Sequence, residues 1–252
     1  WHRVIEPFGP KNPGSLMLRT HCQTSGVSLT EQDPYNNVVR TTIEALAAVL
    51  GGTQSLHTNS YDEALALPTE EAVRVALRTQ EIIAHETGVT NTIDPLGGSY
   101  FVEALTDRME QLPYEYFAKI DELGGMVEAV KRGYPQREIA DAAFALQREY
   151  DSGERKLVGV NSYTEGGEGE IEIRRIDPAL EQKQIDRVQG VRARRDSEKV
   201  EAALAELKAA AAQDDHNLMP NLLDCARVHA SEGEIVQALQ SVFGTYTETP
   251  VF

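Results

Sequence analysis

Basic residues are scarce in this sequence of 252 residues. Lysine and arginine together number 24 against 40 aspartates and glutamates, so the formal net charge is −16. The deficit is spread along the chain, with 12 basic and 21 acidic residues up to position 150 and 12 and 19 beyond it. Proteins that bind nucleic acid carry clustered positive charge to neutralise phosphates. The composition therefore argues against a nucleic-acid partner.

Long hydrophobic runs and cysteines are equally scarce. No stretch approaches 18 apolar residues and the mean hydropathy is −0.38, so no membrane-spanning helix is predicted. The two cysteines, Cys22 and Cys225, are too few for a disulfide framework or a metal cluster. No glycine-rich phosphate loop and no zinc-ligand spacing is found. We expect reduced thiols, a cytoplasmic location and no metal site within the chain.

The first hundred residues alternate predicted strands and helices. Strands are predicted at 16–22 and 53–59, and helices at about 34–50 and 68–88. This order is typical of a parallel α/β sheet or barrel. Beyond Asp94–Gly98 the pattern predicts a short isolated strand at 157–160 and otherwise helices. These helices are expected at about 101–131, 136–150, 178–194, 197–212 and 219–243, the last broken near Gly233 at a Ser231–Glu234 capping box.

One face of each predicted strand is polar. Because side chains alternate along a strand, the polar face of the first carries Arg19, His21 and Gln23. The polar face of the second carries Ser55, His57 and Asn59. Strands of an ordinary (β/α)8 barrel are apolar on both faces, and ligands bind at their carboxyl ends. Two interpretations stay open: a polar barrel interior that holds a ligand, or edge strands with a solvated face.

Long contiguous segments closely resemble the large chain of the methylmalonyl-CoA mutase family. Leu18–Gly26 reads LRTHCQTSG, Ser28–Asn37 reads SLTEQDPYNN, and Gly52–Asn59 reads GTQSLHTN. Shorter matches follow at Asp62-Glu63-Ala64, Asp94-Pro95, Gly98-Ser99-Tyr100, Gly124-Gly125-Met126, Asp151-Ser152-Gly153 and Gly159-Val160-Asn161. Contiguous matches that cover nearly the whole chain are far more specific than a short motif.

The resemblance implies a fold and an activity for the intact enzyme. Members of the family use adenosylcobalamin to rearrange the carbon skeleton of acyl-CoA esters by radical chemistry, inside a (β/α)8 TIM barrel lined with small polar residues. By resemblance the fold class is α/β, with residues 1–100 forming the last two strands and helices of the barrel and residues 101–252 a mainly helical region after it. The upstream half of the barrel is expected to supply most acyl-CoA contacts, so this segment alone is expected to be inactive.

The resemblance also assigns six cofactor-binding residues: Arg19, Gln23, Gly26, Asn59, Glu63 and Ala64. Gly26 matches a position where the backbone approaches cobalamin, which a glycine permits because it has no Cβ. Glu63 matches a residue that can accept hydrogen bonds from the adenosyl ribose. Purely structural roles are the alternatives: Glu63 at a helix start and Arg19 in an ion pair. His21 and His57 are expected to be hydrogen-bonded interior histidines, and no catalytic residue is assigned.

The cobalt ligand is expected from another domain or chain. The family's ligating signature is Asp-x-His-x-x-Gly, and the nearest segment here, Asp214–Met219, ends in methionine, so His216 is predicted to be a loop residue. The expected partners are an acyl-CoA substrate, a cobalamin-binding subunit or domain, the missing N-terminal barrel half, and further copies in a homo- or hetero-oligomer. Trp1 in place of an initiator methionine and the ending at 247–252, which resembles that of family large subunits, suggest the back portion of a larger enzyme.

The substrate and two rival functions remain open. Val27 stands where methylmalonyl-CoA mutases typically carry tryptophan and resembles the branch acting on isobutyryl- and 2-hydroxyisobutyryl-CoA. The leading expectation is the conversion of a branched acyl-CoA such as methylmalonyl-CoA to succinyl-CoA. One rival is a non-catalytic module that binds a cobalamin-carrying subunit. Another is an aldolase-type barrel, which requires a buried lysine or metal ligands that Arg19 and Asn59 do not supply.

Overall fold

The computed structural model of the chain describes residues 1–165 and 171–247. These residues form two compact units, the first ending at Arg175 and the second beginning at Ile176. Residues 248–252, which hold most of the ending that resembles family large subunits, lie outside the described residues.

The first unit contains a two-stranded parallel sheet. Strand β1 spans His21–Gln23 and strand β2 spans Ser55–His57, with Cys22 opposite Leu56. The predicted strand 53–59 contains β2 but is too long, and the predicted strand 16–22 overlaps β1 only at 21–22, since it starts five residues early and ends one residue short. Before β1, Pro13–Leu16 forms a turn of 3-10 helix because the Asn12 side chain accepts a hydrogen bond from the Gly14 N–H.

Three helices accompany this sheet. Helix α1 spans His2–Ile5, α2 spans Asn36–Leu50 and connects β1 to β2, and α3 spans Glu70–Glu86 and packs on α2. The buried residues of α2 are Asn37, Thr41 and Ala45, two of which are polar. Asn37 bonds to two neighbouring loops, which turns a polar edge of the helix inward.

After residue 100 the first unit is helical. The predicted helix 101–131 is two helices, α4 over Tyr100–Glu122 and α5 over Met126–Lys131, because Gly124 and Gly125 adopt φ of 98° and 94° between them. Helix α6 spans Tyr134–Asp151, as predicted. The predicted strand at 157–160 is wrong. Asn161 folds this segment into a turn, since its side chain accepts from the Leu157 N–H and donates to the carbonyl of Arg155.

The second unit consists of helices α7 (Pro178–Arg194), α8 (Ser197–Ala211), α9 (Met219–Arg227) and α10 (Glu232–Phe243). Its core contains Ala203, Leu207, Cys225 and Ala238. The predicted helix 219–243 is interrupted just before Gly233, and the predicted capping box of Ser231 and Glu234 is present. His216 lies in an exposed loop between α8 and α9, as predicted.

The described chain is therefore mostly helical with a small parallel sheet. Over residues 1–165 and 171–247, no helix is both long and apolar enough to cross a membrane. In the same residues, no three acidic, histidine or cysteine side chains gather as the ligands of a metal ion would.

Candidate functional site

Polar side chains converge where β1 and β2 end. Thr24 directly follows β1 and Asn59 lies two residues after β2; both are only 4% exposed. The Thr24 Oγ1 donates a hydrogen bond to Asn59 Oδ1 over 2.6 Å and accepts one from the Asn59 N–H over 2.9 Å. The Thr24 N–H donates to the His57 carbonyl over 3.1 Å, which extends the strand pairing by one bond. These bonds lock the two strand ends together.

Asn59 and the neighbouring Ser60 hold the Glu63 carboxylate by hydrogen bonds. The Asn59 Nδ2 donates to Glu63 Oε2 over 2.7 Å, and the Ser60 N–H donates to Glu63 Oε1 over 2.7 Å. Each carboxylate oxygen has two lone pairs, so each retains one that can accept a hydrogen bond from a ligand. Glu63 is half-buried and lies seven residues before α3, which begins at Glu70. No α-helix begins at Glu63, but its bond from the Ser60 N–H at the start of the 61–65 turn is a local structural contact.

Gly26 lies in a short loop beside Asn59. The loop contains a 3-10 turn, Gly26–Ser28, and the Ser25 N–H donates to Glu44 Oε2 on α2 over 2.6 Å. A Cβ added to Gly26 would meet only the Asn59 Nδ2, at an ordinary 3.8 Å, and the backbone at Gly26 is outside the left-handed region. Within the described chain neither conformation nor packing requires a glycine here. The space beside Gly26 is open to a ligand.

The other predicted cofactor residues make no side-chain hydrogen bond to this cluster among the described residues. Ala64 follows Glu63 and is exposed, and Gln23 ends β1 on its exposed face. Arg19 is exposed and precedes β1 by two residues. Among the described residues Arg19 forms no ion pair, so the chain itself gives no support to an ion-pair role. Of the six predicted residues, Asn59 and Glu63 are hydrogen-bonded to each other, and Gly26 lies beside Asn59.

The two histidines occupy the open face of the sheet rather than an interior. His21 and His57 are both exposed, and His21 Nδ1 lies 2.6 Å from the Ser55 Oγ of the neighbouring strand. Cys22 and Leu56, on the opposite face, are half-buried. The prediction that one face of both strands is polar is confirmed for β1 and β2. The burial expected of the two histidines is not found within the described chain.

Beneath the cluster, Asn37 of α2 fixes the loops that carry it. Its side-chain amide accepts from the Thr30 N–H and donates to the carbonyls of Thr30 and Tyr61. The Tyr61 ring packs against Tyr35 with centroids 5.2 Å apart. Burial, reinforced by the nearby Glu71 carboxylate, raises the pKa of the Tyr61 phenol above its usual range. The Asn37 side chain is therefore fully paired beneath the site, whereas Thr41 Oγ1 and Asp62 Oδ1 are buried without a partner among the described residues.

Four site residues were missed from the sequence: Thr24, Ser60, Asn37 and Glu44. Thr24 lies on the face of β1 opposite His21 and Gln23, so a search restricted to the polar face of the strand does not include it. Asn37 is an asparagine on the buried side of a helix. A buried polar side chain in a helix requires partners, and this is the one signal that could have identified it.

Comparisons with known proteins cover almost the whole chain. The family model described as methylmalonyl-CoA mutase matches residues 1–245. The chain is 49% identical to the methylmalonyl-CoA mutase of Rhizobium meliloti over 99% of its own length and 35% of the relative's. It is 48% identical to the 2-hydroxyisobutanoyl-CoA mutase large subunit of Aquincola tertiaricarbonis, covering 98% of the chain and 44% of the subunit. It is 47% identical to the mitochondrial methylmalonyl-CoA mutase of Homo sapiens, covering 98% and 33%.

Proposed function

This chain belongs to the methylmalonyl-CoA mutase family, and from that membership we propose that it forms the adenosylcobalamin-facing part of an acyl-CoA mutase. The observation that carries the proposal is the cluster at the strand ends, where Gly26, Asn59 and Glu63 lie together. The chain spans only 33% to 44% of the length of the curated relatives described above. The activity is therefore proposed for the longer protein and not for these residues alone.

The proposal extends to the fold. The order β1–α2–β2–α3 is that of two strand–helix pairs, and we assign them to the end of a (β/α)8 TIM barrel that upstream residues complete. Residues 1–100 would then be the barrel portion and residues 101–252 the helical region after it. Ligands of such barrels bind at the carboxyl ends of the strands, which is the end where the cluster lies.

The cluster has the features that the adenosyl end of the cofactor requires. The free lone pairs of Glu63 can accept hydrogen bonds from two ribose hydroxyls, and Gly26 leaves room for a close approach of the corrin. Arg19, Gln23 and Ala64 would line the same side of the cavity. When bound, adenosylcobalamin supplies a carbon-centred radical, and the role of these residues is to hold its nucleoside and keep water away.

Other parts of the enzyme would come from outside the chain. Since His216 lies in an exposed loop and its segment lacks the glycine of the cobalt-ligating signature, the cobalt ligand is assigned to a separate domain or subunit. An acyl-CoA substrate, a cobalamin-binding partner and further subunits complete the proposed assembly. Cys22 and Cys225 are free thiols, which suits the proposed cytoplasmic location. A purely non-catalytic module is not favoured, because the relatives are named as mutases.

The proposed substrate is a branched acyl-CoA, with methylmalonyl-CoA first and isobutyryl- or 2-hydroxyisobutyryl-CoA as the alternative. Overall identity does not separate these, because 49% to one kind of mutase and 48% to another are equivalent. Val27 does bear on the choice. It is 93% exposed within this chain and adjoins Gly26, so it is placed to line the cavity where a larger residue would fill space.

The full-length protein, supplied with its cobalamin-binding partner, tests the proposal. We expect it to isomerise at least one of the three acyl-CoA esters when adenosylcobalamin is present. Chromatography of the acyl-CoA products measures this activity. The variant Glu63→Gln is expected to weaken adenosylcobalamin binding by at least about tenfold, because an amide offers one acceptor where the carboxylate offers two. Glu70→Gln, at an exposed helix start, is the matched control. Failure of all three esters to react would rule the proposal out.

A further inference from the structure

We propose that Thr24 is a positioning residue that acts through Asn59 to hold the Glu63 carboxylate in the orientation that the adenosyl group requires. The inference rests on the proposed function, since it concerns the ribose contact assigned to Glu63. The structure shows a continuous hydrogen-bonded path from Thr24 to Asn59 to Glu63, and each of its side-chain bonds is 2.6 or 2.7 Å long.

The Thr24 hydroxyl determines which end of the Asn59 amide faces Glu63. A hydroxyl has a single hydrogen, and here the Thr24 Oγ1 donates it to the Asn59 Oδ1 while accepting from the Asn59 backbone N–H. With its oxygen held on the Thr24 side, the amide presents its NH2 group to Glu63 Oε2. The opposite orientation would place the amide oxygen against Glu63 Oε2 and leave those two oxygens without a donor.

Burial makes this arrangement dependent on Thr24. Thr24 and Asn59 are each 4% exposed, so solvent does not readily replace a lost partner. Without the hydroxyl, the Asn59 Oδ1 is left unpaired, and the amide gains by turning towards any other donor. The Ser60 N–H continues to hold Glu63 Oε1, so the carboxylate loosens at one oxygen only. We therefore expect a smaller effect than that of replacing Glu63 itself.

Thr58 provides a closely matched control at the end of the neighbouring strand. It is also 4% exposed, and its Oγ1 also makes two bonds, donating to the Ala76 carbonyl over 2.7 Å and accepting from Gln80 Nε2 over 3.0 Å. Both partners belong to α3, and neither bonds to Glu63. Thr58→Val therefore removes an equivalent buried hydroxyl without removing any hydrogen bond of the path from Thr24 to Glu63.

The experiment compares two cobalamins on the full-length protein with its cobalamin-binding partner. Adenosylcobalamin carries the ribose that Glu63 would contact, and methylcobalamin does not. Thr24→Val should weaken adenosylcobalamin binding about fivefold in an absorbance titration and leave methylcobalamin binding within about twofold. Thr24→Ser should restore the adenosylcobalamin affinity, since it keeps the hydroxyl. Thr58→Val should lower the thermal midpoint comparably to Thr24→Val while leaving both affinities unchanged.

The remaining outcomes distinguish this inference from the proposed function. Equal losses for both cobalamins in Thr24→Val, or the same selective loss in Thr58→Val, would reduce Thr24 to a structural role and overturn the inference. A selective loss in Glu63→Gln without one in Thr24→Val would overturn the inference alone. No selective loss in Glu63→Gln would overturn the ribose contact and the inference with it. If Thr24→Val does not fold, Thr24→Ala removes the same hydroxyl and is subject to the same outcomes.

Discussion

Neither the backbone conformation nor the packing of the described chain requires a glycine at position 26. Its backbone lies outside the left-handed region, and a Cβ would meet one side-chain nitrogen at 3.8 Å. Gly52, at the opposite end of β2, is a different case: its φ is 82°, so a side chain would strain the backbone although no atom lies in its way. The two glycines therefore separate the proposed ligand requirement at Gly26 from a conformational requirement at Gly52.

Substituting each glycine by alanine should give opposite results. We expect Gly26→Ala to change the free energy of unfolding by less than about 0.5 kcal/mol and to weaken adenosylcobalamin binding, because the methyl group occupies the ligand's space. Gly52→Ala should cost about 1 kcal/mol in stability, because φ is positive there, and leave cofactor affinity unchanged. Urea unfolding and cofactor titration of the full-length protein measure both quantities. Unaltered cofactor binding in Gly26→Ala would remove this residue from the site.

Sequence reasoning reached the residues of the site unevenly. Gly26, Asn59 and Glu63 were named from the family resemblance, and the structure brings them together. Thr24 and Ser60 were not named. The role of Thr24 depends on register, since it meets Asn59 across 35 positions of sequence only because β1 and β2 pair as they do. Ser60 contributes a backbone N–H, which residue identity does not reveal.

At the scale of elements, the start of α10 shows how local rules and tertiary contacts combine. The Ser231 side chain accepts from the Glu234 backbone N–H and the Ser231 N–H donates to Glu234 Oε2, which is the reciprocal pair of a capping box. The Ser231 hydroxyl also donates to Glu234 Oε2. Arg195, which follows α7, donates another hydrogen bond to the same oxygen from its Nη1 over 2.6 Å. These hydrogen bonds, chiefly those from Arg195, hold the pKa of the Glu234 carboxyl well below its usual range.

The depressed pKa of Glu234 predicts a specific dependence of stability on pH. Its contribution is complete above the unfolded-state pKa of about 4.3 and is lost as the pH falls below that value towards the folded-state pKa. At pH 7 we expect Glu234→Gln to lower the free energy of unfolding by about 1 to 2 kcal/mol. The gap between variant and parent should shrink as urea unfolding is repeated down to pH 2. Glu232→Gln, exposed on the same helical turn, is the control, and a gap that does not narrow in acid would contradict the assignment.

Prediction of the elements themselves succeeded where signals are local. Caps and periodicity predict the helices at 178–194 and 197–212, and both are confirmed to within one residue. They also predict the break near Gly233, which is confirmed between Arg227 and Glu232. The strands were overextended because two strands of three residues carry too little pattern to mark their ends. The apolar segment 157–160 was read as a strand, but Asn161 makes it a turn through bonds to residues as distant as Tyr150.

On the scale of the whole molecule, α4 and α6 of the first unit have apolar side chains that no described residue buries. Neither α4 nor α6 has a fully buried residue, although both carry large apolar side chains. Phe101 on α4 is 75% exposed, and Phe144 on α6 is 68% exposed. Apolar side chains exposed in such numbers mark surfaces that bind other protein. Since the chain spans only 33% to 44% of the relatives' length, we expect segments outside these residues, or a partner chain, to cover these faces.

Residues 1–252 produced alone should therefore expose apolar surface that is covered in the full-length protein. We expect them to bind the dye ANS more strongly than the full-length protein at equal molar concentration, because apolar helix faces are open. They should show no mutase turnover and no preference for adenosylcobalamin over methylcobalamin, since the cluster of Gly26, Asn59 and Glu63 would wall only one side of the cavity. Co-expression with the remainder of the polypeptide should lower ANS fluorescence and restore both properties together. Turnover or selective binding by residues 1–252 alone would show that the site is complete within them, against the proposed barrel.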